Sequence, residues 1–215
     1  MSSLWVLTTI GILVISFLTG FLFFYANSPL DKERKKQHMD EGLSMLINVV
    51  LFIWLGKIVL NLPTFLQDPL AILAYPSDAA SLYFAILFGS ITAIIKIARG
   101  KHTVDVYLFS FVTICITASF TYEFIQIVWN QSSFSWEYLG LLVLLLLAIV
   151  LLQGKLSNEL LGAMVLLIWS IGQLGLAFYL PFTTIFGYML SPWFLIMMVV
   201  VSSGLILFYL KERNV

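Results

Sequence analysis

Long apolar segments separated by short polar connections dominate this chain of 215 residues. A bilayer core about 30 Å thick needs about 20 apolar residues in helical form to cross it. We predict seven transmembrane helices, at residues 4–26, 43–62, 79–99, 103–129, 136–153, 158–180 and 188–210. The predicted fold class is therefore all-α: a polytopic membrane protein whose residues 1–215 form a single membrane domain.

The connection between the second and third predicted helices differs from the others. It contains Pro63, Pro69 and Pro76. Proline removes a backbone donor and clashes with the preceding helical turn, so a run of this kind does not form a span. We predict an interfacial or re-entrant segment over residues 63–77.

Basic residues are confined to alternate connections. They are Lys32, Arg34, Lys35 and Lys36 after the first helix, Lys96, Arg99 and Lys101 around the third connection, Lys155 in the fifth, and Lys211 and Arg213 at the C-terminus. The second, fourth and sixth connections contain no lysine or arginine. Because basic connections stay on the cytoplasmic side, this pattern predicts an outside N-terminus and an inside C-terminus. The mixed charges of residues 31–41 predict a short cytoplasmic helix or an extension of the second helix.

Composition agrees with a membrane protein and removes several function classes. The chain is 61% hydrophobic and 10% charged, with a mean hydropathy of +1.03, whereas soluble domains have about 25% charged residues. Without a basic face, nucleic acid is excluded as a partner. The single Cys115 excludes an intramolecular disulfide and any site built from several cysteines. We interpret His38 and His102 as solvated loop histidines, and predict neither a metal site nor a cofactor.

Two ionisable residues, Lys57 and Glu123, lie inside otherwise apolar helices. A charge in the hydrocarbon costs about 2.5–3.5 kcal/mol even on lenient scales, so such residues indicate a functional site. Lys57, Glu123 and Gln173 each lie roughly 7–10 Å below the predicted outer interface, at a rise of about 1.5 Å per residue. Gln126 lies one turn above Glu123. These residues predict a polar layer in the outer half of the membrane.

Asp78 and Glu137 complete the candidate ligand-binding residues, at the outer ends of the third and fifth predicted helices. Three interpretations of this layer remain open. Lys57 and Glu123 form an ion pair that satisfies both charges, or the layer is a polar pocket for a lipid head group or an anionic ligand. A proton or ion path is the third, although no second acidic residue lies deeper to continue it.

Several motifs resemble those of prolipoprotein diacylglyceryl transferase. The stretch from Leu62 to Leu70 reads L-P-T-F-L-Q-D-P-L and resembles that family's F-P-x-F-x-x-D-P-L after its second helix. Weaker similarities occur at Gly56-Lys57, at Gly89, at Ser135 to Tyr138, and at Gly187 with Leu190-Ser191. The resemblance implies seven helices, a bacterial cytoplasmic membrane, and a site that takes phosphatidylglycerol and a lipoprotein in the outer half of the membrane.

The chain departs from the family at the positions that carry its chemistry. Phe84 replaces the histidine of the family's H-G-G motif, and Glu123-Phe124 falls where the family has G-R-x-G-N-F. Gln173 replaces a later arginine, and Ala177 its glutamate. Arginine binds phosphate bidentately, which glutamine cannot do, and phenylalanine cannot accept a proton from a thiol. We therefore expect no catalytic residues and no diacylglyceryl transfer.

Three functions remain open. The favoured one is a catalytically degenerate relative that binds phospholipid, including phosphatidylglycerol, or a lipoprotein or another membrane protein. The second is an active lipid-modifying transferase of altered chemistry, with Glu123 as base and Lys57 as the cation for a head group. The third is a membrane subunit of a transport complex.

Overall fold

The computed structural model describes residues 3–69, 72, 78–100, 103–130 and 135–213. Its helices are α1 (Ser3–Asn27), α2 (Lys32–Leu60), α3 (Leu62–Gln67), α4 (Ala79–Ala98), α5 (Val112–Asn130), α6 (Ser135–Leu152), α7 (Asn158–Tyr179) and α8 (Pro192–Arg213). A π-helical turn, Val106–Phe111, leads into α5. Two short strands, β1 (Thr183–Ile185) and β2 (Tyr188–Leu190), form an antiparallel hairpin before α8. The all-α fold class is confirmed, with the hairpin as an unpredicted addition.

Six of the described helices are long and apolar enough to cross a membrane: α1, α2, α4, α5, α7 and α8. The apolar run of α6, Trp136–Leu152, is shorter than the other six. At about 1.5 Å per residue its 18 residues extend for about 27 Å, close to the thickness of a bilayer core. The described part of the chain therefore has the plan of a multi-pass membrane protein with six long apolar helices and one shorter one.

Helix α2 begins at Lys32, well before the apolar segment predicted at residues 43–62. Asp31 caps it, since its side chain accepts a hydrogen bond from the Arg34 backbone N–H at 2.8 Å. Such a cap satisfies one of the donors left free at a helix start. The charged run therefore forms the first turns of α2, one of the helices apolar enough to cross a membrane, which confirms the predicted extension.

The last helix begins later than predicted, because residues 183–190 form the hairpin and α8 starts at Pro192 instead of at residue 188. Proline suits the first turn of a helix, because a backbone N–H at that position has no intrahelical hydrogen-bond acceptor and its loss costs nothing. At the tip of the hairpin, Phe186 has a φ of +50° and Gly187 a φ of +83°. Two consecutive positive φ values are typical of the tight turn that joins two-residue hairpins, and only the glycine adopts one without strain.

The predicted interfacial segment at residues 63–77 is described in part. Helix α3 spans only Leu62–Gln67, too short to cross a bilayer, with proline in its first turn. Residues 70, 71 and 73–77 of that segment lie outside the described residues. The predicted boundaries of the remaining helices agree with the structure to within a few residues, except that the π-helical turn occupies the beginning of the segment predicted at 103–129.

Packing divides the bundle into two parts. Helix α2 lies along α4, whereas α5 packs against α1 and α6, and α7 packs against α6 and α8. The π-helical turn joins the two parts, because it contacts both α2 and α7. A side chain at Gly162 of α7 would place its Cβ 2.6 Å from the carbonyl carbon of Leu108, so only glycine permits this approach.

Candidate functional site

A buried polar cluster lies where α5, α6 and α7 pack side by side. We call it the Gln173 cluster, and its members are Ser119, Tyr122, Glu123, Tyr138, Trp169 and Gln173. Gln173 is 0% exposed and Glu123 is 3% exposed. Glu123 precedes the end of α5 by seven residues, and Gln173 precedes the end of α7 by six. At about 1.5 Å per residue both lie roughly 9–10 Å inside the helix ends.

The Tyr138 hydroxyl is the centre of this cluster. It accepts a hydrogen bond from the indole Nε1–H of Trp169 at 3.0 Å. Glu123 acts electrostatically on the same hydroxyl, and the side chains of Gln173 and Ser119 approach it. Tyrosine and tryptophan bury their rings readily when the polar tip has a partner of this kind. The structure thus brings Glu123 and Gln173, two of the predicted site residues, to one group on the helix between them.

Three atoms of the cluster have no hydrogen-bond partner among the described residues. They are Nε2 and Oε1 of Gln173 and Oγ of Ser119, all of them buried. Although Gln173 and Ser119 approach Tyr138, their geometry does not make a hydrogen bond. A buried polar group without a partner costs about 1–3 kcal/mol, and native proteins retain few of them without a functional reason. The cluster is therefore not satisfied by its own side chains.

A line of polar groups leads from the Gln173 cluster to the protein surface. The Gln126 side chain approaches the hydroxyl of Tyr122, which also lies near Glu123 and Tyr188. Gln126 and Tyr188 are half-buried, and Gly187 beside Tyr188 is exposed. Gln126, also predicted as a site residue, therefore lies between the buried cluster and the hairpin.

The hairpin covers this end of the cluster. The ring of Phe186 lies 5.0 Å from that of Phe17 in α1 and 5.7 Å from that of Tyr122 in α5, measured between centroids. Phe186 also has the positive φ that a bulky residue adopts only under constraint. Such strain is retained where surrounding contacts fix it, and it occurs often beside ligand sites.

Lys57 belongs to a different part of the molecule. The charge that acts on it is that of Asp78, and its Nζ lies 5.9 Å from the centroid of the Trp54 ring. Helix α2, which carries Lys57, packs along α4, whereas α5, which carries Glu123, packs against α1 and α6.

Asp78 caps the start of α4. Its Oδ1 accepts hydrogen bonds from the backbone N–H of Ser81 at 2.9 Å and from the Ser81 hydroxyl at 2.5 Å. Burial alone would raise the pKa of Asp78, but these hydrogen bonds and the nearby Lys57 charge lower the pKa below its ordinary value. Asp78 therefore has a structural role as a helix cap and as the counter-charge of Lys57. Glu137, the last predicted site residue, is exposed in the first turn of α6.

Sequence reasoning missed a second buried cluster at the opposite end of the helices. His38, predicted to be solvated, is only 3% exposed. Its Nδ1 lies 2.6 Å from the Ser110 Oγ, its Nε2 lies 3.8 Å from the Asp105 Oδ2, and its ring stacks on Phe24. The prediction of a solvated loop histidine was wrong because α2 already begins at Lys32, and the face of α2 that carries His38 lies against the π-helical turn.

Glu41 extends this second network, which we call the His38 cluster, by one helical turn. It forms an ion pair with Lys96 of α4 and accepts a hydrogen bond from the Tyr107 hydroxyl at 2.8 Å. The spacing of His38, Glu41 and Met45, all buried, is the signal that could have identified the inner face of α2.

The order Ser110–His38–Asp105 is that of an acyl-transfer triad, but the geometry favours a structural network. Ser110 is 0% exposed. The distance of 3.8 Å between His38 and Asp105 is longer than a hydrogen bond. The polar side chains of this cluster satisfy one another, in contrast to the Gln173 cluster.

Comparison of the chain with protein-family models, with curated proteins and with solved structures finds no match. Among the described residues, no group of three or more His, Cys, Asp and Glu side chains is arranged to hold a metal ion. His102 lies outside the described residues.

Proposed function

We propose that this chain is a bacterial cytoplasmic-membrane protein that binds the polar part of a membrane lipid or lipoprotein at the Gln173 cluster. In this proposal the chain crosses the membrane seven times, with its N-terminus outside and its C-terminus inside. It is a degenerate relative of prolipoprotein diacylglyceryl transferase and carries out no transfer. The observation that carries the proposal is the fully buried Gln173, whose two amide atoms lack hydrogen-bond partners among the described residues.

The location of the cluster supports a lipid over a soluble ligand. Glu123 and Gln173 lie roughly 9–10 Å inside helices that are apolar enough to cross a membrane. Polar groups at that depth face the interior of a bundle and mark binding or transport sites. The head group of an amphiphile reaches such a depth if its acyl chains remain in the surrounding hydrocarbon.

The resemblance supports the same location. It assigns family arginines near Glu123 and at Gln173, and the structure brings these two positions to the Tyr138 hydroxyl. The position of the family's histidine is Phe84, whose ring stacks on Phe88 with centroids 4.3 Å apart. A stacked phenylalanine accepts no proton, so this position supports loss of catalysis.

Lipid analysis of the purified protein tests binding. We expect a lipid of defined class to co-purify with the wild type and to be depleted in Gln173→Met, which keeps the length of the side chain but removes both polar atoms. Gln37→Met is the matched control, because Gln37 is exposed on α2. Equal lipid content in the wild type and Gln173→Met would contradict the proposed site.

Lys57→Ala distinguishes the two polar regions in the same experiment. Because the charge of Asp78 acts on Lys57, we expect this variant to retain its lipid. Loss of lipid in Lys57→Ala alone would place the site at the Lys57 and Asp78 pair instead.

Absence of transfer is tested separately. Expression of this chain in a bacterial strain depleted of its own diacylglyceryl transferase should leave prolipoprotein unmodified. Conversion of prolipoprotein in that strain would overturn the loss of catalysis.

A further inference from the structure

We propose that His38 is a buried proton-binding site, and that the bound proton ties α2 to the π-helical turn through Asp105. His38 lies at the opposite end of the helices from the Gln173 cluster, so this site does not depend on lipid binding. Its imidazole is only 3% exposed and lies between two oxygen atoms of the turn segment, where the two parts of the bundle meet.

Both ring nitrogens of His38 face an oxygen atom. Nδ1 lies 2.6 Å from the Ser110 Oγ, and Nε2 lies 3.8 Å from the Asp105 Oδ2. A neutral imidazole has one N–H donor and one acceptor, whereas a protonated imidazole has two donors. The distance to Asp105 is longer than a hydrogen bond but is within the range of an ion pair. A proton on His38 therefore adds an attraction to Asp105 that the neutral ring lacks.

Thr103 fixes the orientation of Asp105 and connects it to solvent. The Thr103 hydroxyl donates a hydrogen bond to Oδ1 of Asp105, and Oδ2 is the oxygen directed at His38. Thr103 is exposed, and the Asp105 side chain is 12% exposed, compared with 4% for the His38 side chain. The carboxylate thus lies between the imidazole and the surface, which gives a proton a polar route to His38.

The other charged and titratable groups around His38 come from α1, α2, α4 and the π-helical turn. They are Tyr25 on α1, Arg34, Lys35 and Glu41 within one turn on α2, Lys96 on α4, and Tyr107 in the π-helical turn. Glu41 forms an ion pair with Lys96 and accepts a hydrogen bond from Tyr107. The Lys35 Nζ donates to the Tyr25 carbonyl oxygen at 2.9 Å, and Arg34 is exposed. A proton on His38 therefore acts first on Asp105, the carboxylate against its ring.

The contact between His38 and the turn joins the two parts of the bundle. Helix α2 lies along α4, and the π-helical turn contacts both α2 and α7. The turn is fixed against α7, because the Leu108 backbone lies where a side chain at Gly162 would be. Segments of π-helix are rare and occur often at functional sites. A proton-dependent attraction between α2 and the turn therefore changes how firmly the α2 and α4 pair is held.

Thermal unfolding of the purified full chain at pH values of about 5.5 and about 8.5 tests the proposal. The ion pair exists only when His38 carries a proton, so its contribution is present below the ordinary histidine pKa of about 6.5 and is lost as the pH rises above it. We expect Asp105→Asn to lower the unfolding midpoint by about 3–6 °C more at the lower pH than at the higher one. This is the shift that a tenfold change in proton affinity gives in a chain of this length. Asp40→Asn is the matched control, because it makes the same change at an exposed position of α2 close to His38, and its effect should not depend on pH in this way.

The same comparison in a His38→Gln background identifies the group that carries the proton. In that background Asp105→Asn should lower the midpoint equally at the two pH values. If Asp105→Asn in the otherwise wild-type chain has the same effect at both pH values, or a larger effect at the higher pH, the proposal is overturned. A larger effect at the lower pH that persists without His38 would also overturn it, because another group would then carry the proton.

Nitrogen NMR provides a test that leaves the cluster unchanged. The chain has two histidines, so the His102→Gln variant, labelled with ¹⁵N-histidine and prepared without a histidine tag, gives ring signals from His38 alone. We expect both ring nitrogens to be protonated at the lower pH and only one at the higher pH. A His38 ring that stays neutral at both pH values, or stays protonated at both, would overturn the proposal.

Discussion

Gln173→Met should stabilise the protein when no ligand is bound and make it less stable than the wild type when ligand is present. Gln173 is 0% exposed, and both of its amide atoms lack a partner among the described residues. Methionine has a similar length and helix propensity, so the substitution changes little besides polarity. Removing an unsatisfied buried amide should therefore recover about 1–3 kcal/mol.

A thermal unfolding experiment can detect this difference. For a protein of this length, 1 kcal/mol shifts the midpoint by about 2–4 °C, so the ligand-free variant should unfold roughly 2–12 °C above the wild type. Lipid must first be removed from both proteins by extensive washing in amine-oxide detergent. Gln37→Met, on the exposed face of α2, should remain within about 0.5 kcal/mol of the wild type.

The order should reverse when the lipid that co-purifies with the wild type is added back. A ligand present at 100 times its dissociation constant stabilises the folded state by about 2.7 kcal/mol. The wild type should gain this increment and Gln173→Met should not. A ligand-free variant that is less stable than the wild type would refute the reasoning, because it would show that Gln173 is hydrogen-bonded within the protein.

Three further substitutions test other parts of the structure by thermal unfolding. Gly162→Ala should destabilise the protein by about 1–3 kcal/mol, because its Cβ would lie 2.6 Å from the Leu108 backbone. Gly175→Ala on the same helix is the control: its Cβ would meet nothing within 4 Å, so it should be neutral or stabilising. Equal effects of the two substitutions would contradict the close approach of α7 to Leu108. His38→Ala should destabilise by about 2–4 kcal/mol, since it leaves buried polar partners unpaired, and a neutral result would show that His38 is solvated. Asp78→Ala should cost about 1 kcal/mol through loss of the α4 cap, and unchanged stability would show that this cap contributes nothing.

Hydropathy was sufficient to locate the helices. Polar groups are costly to bury in lipid, so a segment that can cross a membrane is visible in the sequence as a long apolar run. It did not reveal the hairpin at residues 183–190, since strands of three residues carry little periodic signal and are continuous with an apolar segment. The early start of α2 was predictable from the Asp31 cap and from the spacing of His38, Glu41 and Met45. The π-helical turn depends on contacts with α2 and α7 and has no local signal.

The sequence predicted a common level for the candidate site residues but not which side chains surround them. The position of a residue along a helix determines how far it lies from the helix end, so Glu123 and Gln173 were predicted at one level, and the structure brings both to the Tyr138 hydroxyl. Which helices are neighbours depends on the packing of the whole bundle. That packing brought Tyr138 between Glu123 and Gln173, and it brought Lys57 near Asp78.

The two buried clusters differ in a way that separates a structural network from a binding site. In the His38 cluster each charged side chain faces an opposite charge or a hydrogen-bonding group, so its residues stabilise the junction of α2, α4 and the π-helical turn without further help. In the Gln173 cluster buried atoms remain without partners among the described residues. Substitutions in the first should therefore destabilise the protein equally with and without lipid, whereas the effect of substitutions in the second should change sign when lipid binds. A shared response of His38→Ala and Gln173→Met to added lipid would remove this distinction and with it the assignment of the binding site.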